Sequence, residues 1–128
     1  MNSAKTQDLD VSFEQFVRDA GRVPSRRLGG DERPVVCVQG LGFVGAAMAL
    51  AVARAADTTG RPYFNVIGVD LPSPAGSARI EAINAGRFPF SATDGNLVTE
   101  TAAAWKEGNL VATSNPVAYA LASVVVVD

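Results

Sequence analysis

The chain contains no histidine and a single cysteine. Without histidine neither a Ser-His nor a Cys-His nucleophile pair can be assembled, and the commonest zinc ligand is lost with it; the sequence offers no catalytic residue and no metal site. Cys37 stands inside the β-branched run Val35-Val36-Cys37-Val38 and reads as a buried strand residue, not a nucleophile. What remains to do chemistry is Gly40-Leu41-Gly42-Phe43-Val44-Gly45, glycines at G-x-G-x-x-G spacing. In such a set the first glycine permits a tight turn. The second lets backbone approach a diphosphate, and the third lets helix and strand pack closely. The helix that follows offers free N–H groups and the positive end of its dipole to an anion.

The flanking elements give the hexapeptide its weight. Val35 to Gln39 reads as a buried strand between Pro34 and Gly40, and Val44 to Ala56, rich in Ala, Leu and Met, reads as a helix. A turn-rich connection, Asp57 to Asn65, leads to a second strand, Val66 to Asp70. Asp70 at its end is placed to accept hydrogen bonds from both hydroxyls of an adenosine ribose. A 2′-phosphate would meet its charge, and Leu71 rather than an arginine follows, so NAD is favoured over NADP. The same residues could merely close a βα turn and cap a strand end; the strand-turn-helix-strand setting favours the cofactor. Arg79 is either a phosphate or ribose ligand or a solvated helix arginine.

Further on, a helix carries Ile80 and Ile83 inward and stops at Gly86. Asp94 caps another, with Leu97, Val98, Thr101, Ala102 and Trp105 on one face and Gly108 at its end; Trp105 is expected in the core. Asn109 to Thr113 reads as a third strand, Asn115-Pro116 opens a short helix to Ala122, and Ser123 to Asp128 forms a fourth strand, apolar enough to be covered on both faces. Strands alternating with helices predict an α/β fold, a Rossmann-type doubly wound parallel sheet of about four strands in the order 3-2-1-4. Because the further strands of that fold are missing and the sequence stops on a valine strand, an incomplete, truncated domain is expected.

Residues 1–33 are expected to form a separate N-terminal extension, with the cofactor domain spanning 34–128. Ser12 and Gln15 suggest a capping box and Val11 with Phe16 a hydrophobic staple, opening a short helix that Gly21 ends. Gly21 to Pro34, with Arg22, Arg26, Arg27 and Arg33, reads as a solvated linker or as arginines touching a partner or a phosphate.

Composition narrows the remaining choices. With 11 basic and 13 acidic residues and a net charge of −2, the chain lacks the clustered positive charge that nucleic acid requires. The longest apolar run, Ala46 to Ala53, is too short for a membrane span, and Met1 to Asp10 is not a secretory signal. With 48% apolar residues and a lone cysteine, a globular, cytoplasmic protein is expected.

Four segments together resemble the N-terminal domain of the UDP-glucose/GDP-mannose dehydrogenase family, the nucleotide-sugar dehydrogenases. These are the glycine hexapeptide, Val69-Asp70, Ile83-Asn84-Ala85-Gly86-Arg87-Phe88-Pro89, and Leu110-Val111-Ala112-Thr113 followed by Ala118 to Asp128. The third discriminates most. The sequence departs from the family pattern at Phe90-Ser91-Ala92-Thr93, at Ser114-Asn115 and at Ser123, which leaves the sugar open. The resemblance implies NAD as cofactor, a nucleotide sugar as substrate of the full-length enzyme, and a homo-oligomer when complete. It implies two successive oxidations of the sugar's primary alcohol to a carboxylate through a thiohemiacetal, a step in polysaccharide biosynthesis. The cysteine and lysine that such enzymes use belong to a later region, so this chain is expected to hold part of the cofactor without oxidising a sugar. A fragment of another NAD-dependent hydroxyacid or sugar dehydrogenase, and a non-catalytic NAD-binding module whose N-terminal helix covers the open sheet edge, are the competing readings.

Overall fold

The computed structural model describes residues 11–24, 33–92 and 94–128; Arg26, Arg27 and Thr93 lie outside them. The glycine unit forms as its residues dictate. Strand β1 (Val35–Gln39) enters the turn and a helix spans Phe43–Arg54. Preceding them is α1 (Phe13–Asp19), so the Phe43–Arg54 helix is α2; then follow β2 (Asn65–Val69), α3 (Pro74–Asn84), α4 (Gly95–Glu107), β3 (Leu110–Thr113), a 3-10 turn (Pro116–Leu121) and β4 (Val124–Val127). The four strands pair in parallel, in the order β3-β2-β1-β4. This is the α/β, doubly wound arrangement expected from the alternation of strand and helix. No described helix is long and apolar enough to cross a membrane.

Side chains alternate across the sheet and create two cores. On one face Val38, Val66, Leu110 and Ala112 meet Ala49, Leu50 and Ala53 of α2, Ile83 of α3 and Ala104 of α4. On the other, Val35, Cys37, Ile67, Val69 and Val111 meet Phe13, Phe16 and Val17 of α1 and Ala118 of the 3-10 turn. The N-terminal helix therefore lies on a sheet face, not along the open edge beside β4. Its start is half of the expected capping box: the Ser12 side chain accepts from the Gln15 N–H at 3.2 Å, but the Gln15 amide turns away to donate to Asp19 at 2.9 Å. Gly21, at φ +79°, ends it. Arg22 is not a solvated linker residue. Its guanidinium donates to the carbonyls of Leu110, at 3.0 Å, and Trp105 and lies 5.1 Å from the centre of the Trp105 ring.

The Ile83–Pro89 segment is built as a clamp on β3. The Asn84 side chain donates to the Ala112 carbonyl and accepts from its N–H, both at 2.9 Å, which satisfies the outer strand as another strand would. Gly86, at φ +80°, lies beneath Trp105, where a Cβ would come within 3.0 Å of the ring, and the indole N–H donates to the Asn84 carbonyl at 2.9 Å. Trp105 thus covers this clamp at 41% exposure and is not a core residue. The inward face of α4 runs instead through Leu97, Thr101 and Ala104, with Val98 and Ala102 outside. The expectation for β4 also changes: Val124, Val125 and Val127 are 53%, 43% and 68% exposed, because β4 is an edge strand paired only with β1 and, among the described residues, only its Val126 packs against a core cluster.

Candidate functional site

Parallel α/β sheets place ligands at the carboxyl ends of their strands, where the chain direction of winding reverses. Here β1 is that strand, with β2 on one side and β4 on the other. A cavity of about 610 Å³ opens at this end, lined by residues that include Gly40, Asp70, Leu71, Ser114, Tyr119 and Asp128.

Each glycine of the hexapeptide has a distinct place. Gly40 turns the chain at φ +92°, a left-handed conformation that costs a side-chain-bearing residue energy. Gly45 is pressed against it: a Cβ there would lie 1.9 Å from the Gly40 carbonyl oxygen, so helix and turn can close only without one. Gly42 is the N-cap of α2 with no side chain capping it. A Cβ on it would meet nothing nearer than the Asp128 Oδ2 at 3.9 Å, leaving room for a ligand to approach the first-turn N–H groups.

The non-glycine members divide. Leu41 is fully buried and reaches under β2, where a Cβ on Gly68 would fall 2.6 Å from its Cδ2; it anchors the turn and contributes backbone to the site. Phe43 and Val44 are exposed. The Phe43 ring packs on Phe88 at 5.3 Å and Phe90 at 5.8 Å between centroids, so the Arg87–Phe90 loop flanks the glycine turn.

Asp70 is joined to the turn directly. Its Oδ2 accepts from the Leu41 N–H at 3.1 Å and its Oδ1 from the Leu71 N–H at 2.8 Å. Arg79 is brought to the same carboxylate, 3.4 Å from Oδ2, with its guanidinium 5.5 Å from the Phe90 ring centre. The long, part-exposed ion pair is the weakest of these contacts, since screened pairs contribute little; a ribose hydroxyl donor could replace it without leaving the carboxylate unsatisfied. Gly40 and the fixed Asp70 carboxylate line one cavity, and with the helix N-terminus that follows the turn they offer groups of the kind a diphosphate and a ribose bind. Tyr119 borders the cavity, and burial, followed by the charges of Cys37 and Asp70, raises its phenol's pKa. Cys37 lies below on the α1 face; its thiol donates to the Ala118 carbonyl at 3.4 Å, and burial pushes its pKa to about 11. That is the opposite of an activated nucleophile. Among the described residues no group of His, Cys, Asp or Glu could hold a metal ion.

Of the residues singled out from the sequence, the structure brings Gly40 and Asp70 to the cavity wall and Arg79 to the Asp70 carboxylate, while Ser114, Pro116, Tyr119 and Asp128, not singled out, also line it. The signal available was positional: all four follow or terminate β3 and β4, the same end of the sheet as Gly40 and Asp70.

The fold is that of an incomplete Rossmann-type α/β domain with a four-stranded, all-parallel sheet. Among solved structures the chain is similar to NDP-N-acetyl-D-galactosaminuronic acid dehydrogenase from Methanosarcina mazei Go1, with a TM-score of 0.65 and 22% identity over 92% of this chain. The chain spans 22% of that protein's length, and the likeness is one of fold. No protein-family profile matches the sequence, and no curated protein matches it.

Proposed function

We propose that this chain supplies the adenosine and diphosphate half of an NAD site in a nucleotide-sugar dehydrogenase, whose full-length form oxidises the primary alcohol of a sugar nucleotide to a carboxylate. The observation that carries the reading is the 3.1 Å hydrogen bond tying Asp70 to the glycine turn, since it fixes a ribose acceptor beside a diphosphate seat. Gly40 to Gly45 and the first turn of α2 hold the diphosphate, with Leu41 and Val44 contributing backbone and Phe43 bordering the turn. Asp70 accepts the ribose hydroxyls and Arg79 orients it. When bound, NAD supplies the hydride acceptor. The dehydrogenase named for the structural neighbour acts on a nucleotide-linked sugar, and this, with the sequence resemblance, supports the substrate class. Cys37, buried and with a raised pKa, is not the nucleophile such an oxidation needs; that group belongs to other residues of the full-length protein.

Calorimetric titration of the 128-residue chain with NAD and NADP tests the reading. The chain should bind NAD more tightly than NADP. Asp70→Ala should weaken NAD binding about tenfold or more, because charge-assisted hydrogen bonds contribute roughly 1.5–3 kcal/mol, and should narrow the gap to NADP. Equal titrations of both cofactors by both proteins would remove Asp70 from the ribose.

A further inference from the structure

The space left by the glycines is partly held by the chain itself. The Asp128 side chain, at the end of β4, projects into the turn. Its Oδ2 lies 3.9 Å from where a Cβ would stand on Gly40 and on Gly42, and 2.9 Å from the corresponding point on Gly45. The strand fixes this placement, because the Asp128 N–H donates to the Gln39 carbonyl at 3.1 Å, putting its Cα beside the residue that begins the turn. Asp128 also shares the 610 Å³ cavity with Asp70. A carboxylate therefore stands at the hollow beside Gly40 and Gly42, in the cavity that Asp70 also lines.

We propose that Asp128 is an internal counter-anion of the glycine turn: its carboxylate rests where the diphosphate of a nucleotide must sit, and the ligand binds by displacing it. This deepens the cofactor reading above and rests on it. Two negative groups at the mouth of one helix repel each other, so the side chain has to rotate away on binding. The cost falls on ligands in proportion to charge at the turn. Nucleosides, which reach Asp70 without entering the hollow, escape it. Asp128 is in this sense a specificity-determining residue that sets the affinity of the diphosphate subsite, whereas Asp70 sets ribose recognition.

The test is a calorimetric comparison of the wild-type chain with Asp128→Asn, which keeps the volume and removes the charge, and Asp128→Ala, which removes both. The probes are NAD, ADP-ribose and adenosine, each titrated with and without magnesium. Both substitutions should tighten NAD and ADP-ribose about tenfold and leave adenosine unchanged. Tightening by Asp128→Ala alone would overturn the charge argument, since only space was gained. Weaker diphosphate binding in Asp128→Asn, above all if wild-type binding requires magnesium, would show a cation-bridging carboxylate and overturn displacement. Wild-type binding unchanged in both variants sinks this inference and leaves the cofactor reading standing; no binding of NAD or ADP-ribose by any of the three proteins sinks both.

Discussion

The two faces of the sheet are covered by different means. On the face of α2, α3 and α4, the helices lie in the crossovers that parallel strands require, α2 between β1 and β2, and α3 and α4 between β2 and β3. On the opposite face the crossover from β3 to β4 is only the 3-10 turn Pro116–Leu121, too small to shield Cys37, Ile67, Val69 and Val111. There the cover comes from α1, which precedes every strand and brings Phe13, Phe16 and Val17 into the same core. One face is thus closed by connections the topology makes obligatory, the other by a helix whose only claim is its apolar stripe. Arg22 secures the end of that helix to the carbonyls of Leu110 and Trp105.

The sharpest way to break this contrast is to remove the stripe. Phe16 is buried at 6% exposure, and Phe16→Ala should cost about 3–5 kcal/mol in urea unfolding, the range for large aromatic truncations in cores. A loss below about 1 kcal/mol would mean that α1 rests on the face without closing it. On the other face, Gly68→Ala drives a methyl to 2.6 Å from the Leu41 side chain and should cost about 1–3 kcal/mol by overpacking. Adding Leu41→Ala to that variant should destabilise less than the sum of the two changes, a coupling that unfolding curves of the four proteins would read.

The smallest effect reports on the α1 face alone. The folded state holds the Cys37 thiol protonated up to about 11 against an ordinary value of 9.0, while the unfolded chain releases its proton earlier. Above the ordinary value the unfolded state binds fewer protons, so stability falls as pH rises from 9.0 to about 11. Cys37→Ala should flatten that part of the stability profile. An unchanged slope would show that the thiol is open to water and the face poorly sealed.

Much of the site is readable in the sequence because it is local. Gly40 to Gly45 must turn, and Asp70 must stand at the neighbouring strand end, once β1, α2 and β2 are recognised. Helix phase was harder to read. Taking Trp105 rather than Ala104 as inward is a one-residue error, yet one residue rotates a side chain about 100° around the axis. The displaced indole instead covers Gly86, a partner set by the approach of another loop. The exposure of β4 was equally hidden, since four valines read alike in a central strand and at a bare edge.

Spacing and residue type determined the strands, most helix caps, the winding order and the glycine turn, all of which follow from backbone sterics and apolar periodicity over a few neighbouring residues. Only the tertiary structure decided that α1 closes the second face, that Arg79 meets Asp70, and that Asp128 reaches into the glycine hollow. Those contacts join residues distant in the chain, and their geometry exists only after the parallel strands have been set in register.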